Sequence, residues 1–217
     1  MKQLLRYTGS ISIVKVKPRY PQNDERMLIK AITGKSMPHG SISYTEGMVV
    51  LNAETVYNIG QLFMTGRPVS KKIVTVAGDA AGASVCCNVT IGTPVSWLVD
   101  KAGGFYVPPK VILKNGIMHG TDIIDKNDHV TATTNSISIL YDIPDDAESE
   151  CIRCNRCMQV CPMGLIPCVL NYYGKKNNVK MLRKHHARFC IKCGLCSYIC
   201  PSKQDIVNNI VKEVYDE

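Results

Sequence analysis

Eight of the eleven cysteines in this 217-residue chain fall in two runs of one spacing. The first is Cys151-x-x-Cys154-x-x-Cys157-x-x-x-Cys161-Pro162, and the second is Cys190-x-x-Cys193-x-x-Cys196-x-x-x-Cys200-Pro201. Gaps of two residues let a tight turn of backbone offer three thiolates to three corners of an iron–sulfur cube, while the cysteine before proline points toward a second cube. The spacing therefore predicts two [4Fe–4S] clusters with crossed ligation. Cys151, Cys154, Cys157 and Cys200 are the expected ligands of cluster 1, and Cys190, Cys193, Cys196 and Cys161 those of cluster 2. Paired cubes of this kind carry single electrons. Zinc would use the cysteines as two pairs and leave the third and pre-proline members of each run unexplained. Disulfides require a secretory setting. Residues 1–10 contain Lys2 and Arg6 and no sustained apolar run of the signal-peptide type.

Charge is unevenly distributed. The net charge is +8, and between Cys151 and Cys200 there are nine lysines or arginines and no acid. Four thiolates leave each cluster with net negative charge, so the bland reading is local compensation. A docking face for an acidic partner is the second reading, because complementary charge accelerates encounter. Nucleic acid is not an expected partner, since no aromatic–basic interleaving accompanies the charge. No apolar run approaches the roughly 18–20 residues of a membrane-spanning helix. Reduced thiols place the chain in a reducing compartment, the cytoplasm.

The elements that must position the cysteines follow from periodicity and punctuation. Residues 1–70 read as a mixed α/β segment. A β-branched alternation predicts a strand at 10–17, and Asn23 or Asp24 caps a helix at 25–33 that Gly34 closes. A buried strand is expected at 48–51 and a helix at 53–65, stopped by Gly66 and Pro68. Residues 71–142 read as strands at 73–77 and 85–91, a helix capped by Thr93 with Pro94 at its first position and ended by Gly103–Gly104, then strands at 110–113 and 136–141. Two strands, a helix and two more strands suggest a β-grasp module. Residues 143–150 form a linker with Asp145, Asp146, Glu148 and Glu150. Residues 151–217 form the cluster domain, with helices expected at 165–173, 179–189 and 203–215, the last capped by Ser202. The fold class is α+β: a partial α/β flavoprotein segment, a β-grasp module and a C-terminal α-helical dicluster ferredoxin domain.

Several segments together resemble the RnfC-like family, a component of the Rnf electron-transport complex. They are Tyr20-Pro21-Gln22 followed by residues 27–34, Gly47-Met48-Val49-Val50 with Asn52 and Thr55, residues 74–79, and Ile91-Gly92-Thr93-Pro94-Val95. The tail is the most specific: Cys-Ile-Arg-Cys at 151–154, Val-Cys-Pro-Met-Gly-Leu at 160–165, and Cys-Gly-Leu-Cys-Ser-Tyr at 193–198 with Cys-Pro-Ser at 200–202. The resemblance implies a peripheral protein on the inner face of the cytoplasmic membrane that passes electrons from an NADH/flavin module through two [4Fe–4S] clusters. It also implies that 71–142 is a soluble-ligand-binding β-grasp (SLBB-like) domain, and that an N-terminal NADH- and flavin-binding half, absent from this sequence, is a missing half or a separate partner. No G-x-G-x-x-G run is present to cradle a pyrophosphate. FMN binding is therefore not expected of this chain alone, and Asn52 and Thr55 are only rim candidates for a flavin. The family's Gly-Gly-Pro-Met-Met-Gly turn is replaced here by residues 115–120, Asn-Gly-Ile-Met-His-Gly.

The resemblance implies as electron acceptor a ferredoxin, Rnf-type membrane subunits or a catabolic reductase, the last including soluble delivery to a proline or cobalamin reductase. A non-redox, partner-binding scaffold is the alternative of a different class. No nucleophile–base constellation for hydrolysis is present. Among the remaining chemistry-bearing residues, Cys86 and Cys87 lie on opposite faces of a strand, so at most one is buried with the core. Cys168 is expected near a cluster but not as a ligand. His185 and His186 lack the i,i+4 spacing of a metal pair.

Overall fold

In the computed structural model, which describes residues 11–37, 41–118, 120–123, 128–143 and 147–211, the chain divides into two units, Met1–Asn52 and Ala53–Glu217. The first unit is built around helix α1, Glu25–Thr33. Asp24 caps it by accepting from the N–H groups of Arg26 and Met27, which satisfies donors that a helix start leaves orphaned. Gly34 closes it in the left-handed region with its N–H on the Lys30 carbonyl. Both signals stand where the sequence reading puts them.

Two expected strands of this region do not form. Residues 11–17 pair with nothing among the described residues, and Ile11, Ile13 and Val14 are exposed; residue 10 lies outside the described residues. The run 48–51 is likewise unpaired, with Val49 and Leu51 exposed rather than buried. β-Branched alternation states only that a segment would fit a pleated, half-buried surface. A strand exists where a neighbour closes its hydrogen bonds.

The second unit opens with α2, Ala53–Thr65, on which no residue is buried although Val56, Ile59, Phe63 and Met64 share its apolar character. Its anchor is polar. Glu54 accepts from Lys72 Nζ at 2.5 Å and from the Ile73 N–H at 2.9 Å. A five-stranded mixed sheet follows, formed by β1 (Lys71–Ala77), β2 (Val85–Thr90), β3 (Val111–Lys114), β4 (Thr121–Asp122) and β5 (Ser136–Leu140), in the order β2-β1-β5-β3-β4. β1 runs antiparallel to β2 and parallel to β5, and β3 is antiparallel to both β5 and β4. β4 is too short to leave a periodic trace in the sequence.

The core of this sheet obeys the period of two. Val74 and Val76 of β1 and Ile137 and Ile139 of β5 are fully buried, with Leu98 and Val99 of the single crossing helix α3 (Val95–Lys101) packed among them. Cys87 packs against this core while its neighbour Cys86 is exposed, as alternation requires. The start of α3 differs from the expected cap by one residue. Pro94 occupies the cap position, and the Thr93 hydroxyl donates back to the Thr90 carbonyl. The orphaned Val95 N–H donates instead to the Asp128 carbonyl at 2.8 Å, so a neighbouring segment does the work assigned to a threonine side chain.

Among the described residues the cysteine-rich part contains five short α-helices: α4 (Arg156–Val160), α5 (Pro167–Lys175), α6 (Val179–Lys184), α7 (Leu195–Tyr198) and α8 (Ile206–Val211). Leu170, Leu182, Ile206 and Ile210 form their apolar core. α5 lies close against α8. A Cβ added at Gly174 would sit 2.1 Å from the Asn209 carbonyl oxygen, so only glycine permits this approach. Beside the apolar contact runs a polar seam: Asn171 Nδ2 donates to Gln204 Oε1 at 2.8 Å, Asn209 Nδ2 to Asn171 Oδ1 at 2.9 Å, and Gln204 Nε2 to the Ser149 carbonyl. The last helix starts three residues later than expected. Ser202 is buried rather than capping it, and the Val207 N–H donates to Ser197 Oγ at 3.0 Å. Residues 212–215 of that expected helix lie outside the described residues.

Candidate metal centre

The two cysteine runs fold into one backbone shape used twice. Arg153 and Lys192, each between the first two cysteines of its run, take positive φ values of 56° and 55°. Asn155 and Gly194, each following the second cysteine, take 60° and 76°. α4 and α7 begin immediately afterwards, placing Cys157 and Cys196 as their second residues, both buried. α4 runs up to the pre-proline Cys161, and α7 ends at Tyr198, two residues before Cys200; the carbonyls of these two pre-proline cysteines accept from the Gly164 and Lys203 N–H groups, again at matching positions with positive φ. Left-handed residues among right-handed or extended ones turn successive N–H groups to one side, making a concavity that suits negative charge. In the second run the Lys192 N–H donates to the Cys190 sulfur at 3.4 Å.

Gly194 and Asn155 are equivalent in backbone but not in surroundings. A Cβ at Gly194 would lie 2.4 Å from the Met118 carbonyl oxygen, which belongs to the loop after β3. Asn155 is exposed.

These turns enclose two separate cavities. One, open to solvent, is lined by Cys151, Cys154, Cys157 and Cys200, and also by Cys168. The other is lined by Cys161, Cys190, Cys193 and Cys196. Each cavity thus takes three cysteines from one run and the pre-proline cysteine from the other. Among the described residues no three His, Cys, Asp or Glu side chains converge on a point that one metal ion would fill. A tetrahedral zinc needs all four sulfurs within about 2.3 Å of one centre. A cube of four irons gives each thiolate its own metal atom and so takes four cysteines around one cavity.

Three of the thiols are held protonated by their surroundings. Burial, and then the neighbouring Cys168 thiol, push Cys157 up to about 11. Burial, and then Cys190 and Cys193 close by, push Cys196 up to about 12. Cys190 is raised by burial as well, against the opposing Lys192 N–H. A metal bound by these three sulfurs would have to displace their protons.

The cavities differ in their walls. The first is bordered by exposed Cys151 and Cys154, by the exposed Arg153 and Arg156, and by polar Asn171, Ser202 and Gln204. The second has an apolar wall of Leu165, Pro167, Leu170, Val207 and Ile210. Sequence reading did not pick out the polar wall; its signal is Asn171 one helical turn from Cys168, and Ser202 and Gln204 directly after Cys200-Pro201. The histidine pair has packing partners: His185 stacks on Tyr173 and His186 on Phe189. Of the flavin-rim candidates, Asn52 ends the first unit and Thr55 lies in the first turn of α2, both exposed.

Comparison with known proteins gives two family matches. Residues 1–61 match the Nuo51 FMN-binding domain, and residues 144–201 match a 4Fe-4S dicluster domain. Among curated proteins, the chain is 30% identical over 218 residues to the C component of the ion-translocating oxidoreductase complex of Buchnera aphidicola, covering 98% of this chain and 46% of that protein. It is 34% identical over 171 residues to the C component of the proton-translocating ferredoxin:NAD(+) oxidoreductase complex of Clostridium ljungdahlii, covering 77% of this chain and 37% of that one. The corresponding ion-translocating oxidoreductase component of Rhodobacter capsulatus is 36% identical over 169 residues, covering 77% and 32%. The chain spans about half or less of the length of these relatives. Among the described residues, no helix is long and apolar enough to cross a membrane.

Proposed function

The chain belongs to the RnfC-like family, the C components of ion-translocating oxidoreductase complexes, and from that premise we propose that it relays single electrons through two [4Fe–4S] clusters. Cys151, Cys154, Cys157 and Cys200 hold one and Cys190, Cys193, Cys196 and Cys161 the other. The observation that carries this reading is the pair of cavities, each lined by its own four cysteines drawn from both runs. A bound [4Fe–4S] cube supplies one-electron exchange at a potential set by local charge, hydrogen bonds to sulfur and solvent exposure.

The chain's own residues do the rest. The paired left-handed turns make concavities suited to negative charge, with the Lys192 N–H on the Cys190 sulfur in the second, and the acid-free run of nine lysines and arginines offsets the negative charge of the loaded sites. Leu165, Leu170 and Ile210 keep water from the second cavity, while exposed Cys151 and Cys154 leave the first within reach of a partner.

In this reading 1–70 is a segment of the family's flavoprotein core, with Asn52 and Thr55 at a flavin's rim. The flavin and NADH are held mainly outside this chain. Residues 71–142 are the SLBB-like β-grasp module, 143–150 the linker and 151–217 the ferredoxin-like domain. The parallel pairing of β1 with β5 and the packing of α3 on the sheet support the β-grasp reading. Partners are the flavin module, the other proteins of the complex, and a ferredoxin or reductase as acceptor. The protein works in the cytoplasm, peripheral to the membrane.

The test is anaerobic reconstitution with iron and sulfide. About eight irons per chain, visible absorption that bleaches with dithionite and a paramagnetic reduced state are expected. Stoichiometric zinc in colourless protein that takes up no iron would point to a non-redox scaffold instead.

A further inference from the structure

The two cysteine runs share a backbone but not its covering. In the second run Ile191, Lys192 and Leu195 are half-buried and Gly194 is buried, with the Met118 carbonyl oxygen of the loop after β3 2.4 Å from where a Cβ of Gly194 would stand. The matching turn of the first run is bare. Ile152 is 67% exposed, and Arg153, Asn155 and Arg156 are exposed beside it. All four line the first cavity together with the exposed Cys151 and Cys154. Arg153 stands where the second run has Lys192, and Arg156 where it has Leu195. Among the described residues neither guanidinium is in an ion pair. Of the acids just before Cys151, Glu148 is engaged by Lys175, and Glu150 is exposed.

Offsetting cluster charge does not account for the difference between the turns. Both loaded cavities would hold four thiolates, yet only the first turn carries two arginines, and it carries them in the open beside an exposed isoleucine. An apolar contact flanked by unpaired cations at the mouth of a redox site suits a transient interface with an acidic partner. We propose that the turn from Ile152 to Arg156 is the docking surface for an acidic one-electron carrier protein, and that the cluster of the first cavity is the one that exchanges electrons with it. This deepens the relay reading and rests on it. One electron leaves the reduced cluster, which is oxidised by one, and enters the oxidised centre of the carrier, which is reduced by one; no bond forms or breaks and no proton moves. An anionic membrane surface offers the same charge but nothing to accept the electron, so the carrier is the better occupant.

The full chain, reconstituted with iron and sulfide, reduced with dithionite and freed of the excess, is mixed rapidly with oxidised cytochrome b5, an acidic haem protein, and separately with the basic cytochrome c. Haem absorbance follows the transfer. Reduction of cytochrome b5 is expected to slow as salt rises, and to slow about tenfold at low salt in the Arg153→Gln/Arg156→Gln double variant. Arg153→Lys with Arg156→Lys keeps both charges and holds the rate, while Glu150→Gln raises it. Lys180→Gln with Lys184→Gln removes equal charge from α6, outside the lining of the first cavity, and leaves the rate within about twofold. Cytochrome c responds to the arginine variant in the opposite sense. If the arginines only offset cluster charge, their loss would lower the cluster's potential and speed the reduction of both haem proteins. Acceleration or no change with cytochrome b5 therefore overturns the proposal. Equal slowing in the Lys180/Lys184 variant overturns it too, because the effect would then be one of net charge. Binding to phosphatidylserine vesicles that the arginine variant loses, with cytochrome b5 reduction unaltered, overturns it in favour of a membrane surface. Should the double variant lose iron, Arg156→Gln alone, at an exposed helix start, carries the same test at about a threefold slowing. None of these outcomes touches the two-cluster reading. Failure of the unaltered chain to take up about eight irons overturns the relay reading and this proposal together.

Discussion

Crossed ligation can be tested by pairing alanine substitutions. The pre-proline Cys161 follows α4 in the first run yet lines the cavity of Cys190, Cys193 and Cys196. Removing it should therefore cost the cluster of the second run, not that of its own. With four irons to each cavity, Cys161→Ala is expected to retain about four of about eight irons. The double variants carry the decision. Cys161→Ala with Cys190→Ala damages one cavity twice, so iron stays at about four. Cys161→Ala with Cys151→Ala damages both, so iron falls toward zero. If each run instead closed on its own cluster, the two double variants would exchange outcomes. The mirror pair, Cys200→Ala with Cys151→Ala or with Cys190→Ala, repeats the logic from the other side. Iron and acid-labile sulfide per chain, measured anaerobically beside the reduced-state resonance spectrum, read the result. About four irons in the Cys161–Cys151 double variant would refute the crossed assignment.

Gly194→Ala places a Cβ 2.4 Å from the Met118 carbonyl oxygen on a backbone at φ 76°, so cluster loss on heating should be faster than in Asn155→Ala, where the equivalent backbone is exposed; the left-handed strain common to both is about 1 kcal/mol. Equal rates would show that the Met118 loop yields freely. Leu182→Ala empties a fully buried position in the helical core and should destabilise by about 2–5 kcal/mol, read as a fall in the thermal midpoint of that region. Asp79 accepts the Asp142 and Tyr141 N–H groups, each at 2.9 Å, and these bonds hold its carboxyl below the usual aspartate range. The stabilisation is present above the unfolded value of about 3.9 and is lost as pH falls through the lower folded value. Asp79→Asn should therefore be the less stable protein at neutral pH, with the difference vanishing in acid; a gap that persists at the lowest pH would count against the carboxylate contact.

The sequence is informative wherever a feature is fixed locally. Asp24 and Gly34 bracket α1 because a cap needs only its own first or last turn. Val74, Val76, Ile137 and Ile139 announce their inward faces because strand alternation is a property of the chain. Where a distant segment supplies the partner, local reading misplaces it. Val95 is satisfied by the Asp128 carbonyl instead of a Thr93 cap, and α8 begins under Ser197 and not under Ser202. Residues 11–17 and 48–51 have strand-like composition without a paired neighbour, and β4 has a neighbour without any pattern.

What the sequence determined by itself is the division of eight cysteines into two sets, together with the turn chemistry that repeats around them. Spacing decides which three sulfurs a short loop can gather, since a few residues of backbone reach only a few ångströms, while the fourth sulfur of each set is brought from the other run. Tertiary structure decided how unlike the two cavities became. Cys168 and Asn171 arrive on α5, Ser202 and Gln204 on the segment leading into α8, and Met118 from the sheet's own loop. Cys168 is expected beside a cluster from the sequence, but the placement of the others is set by which helices and loops pack together. The polar wall of one cavity and the apolar wall of the other are products of that packing.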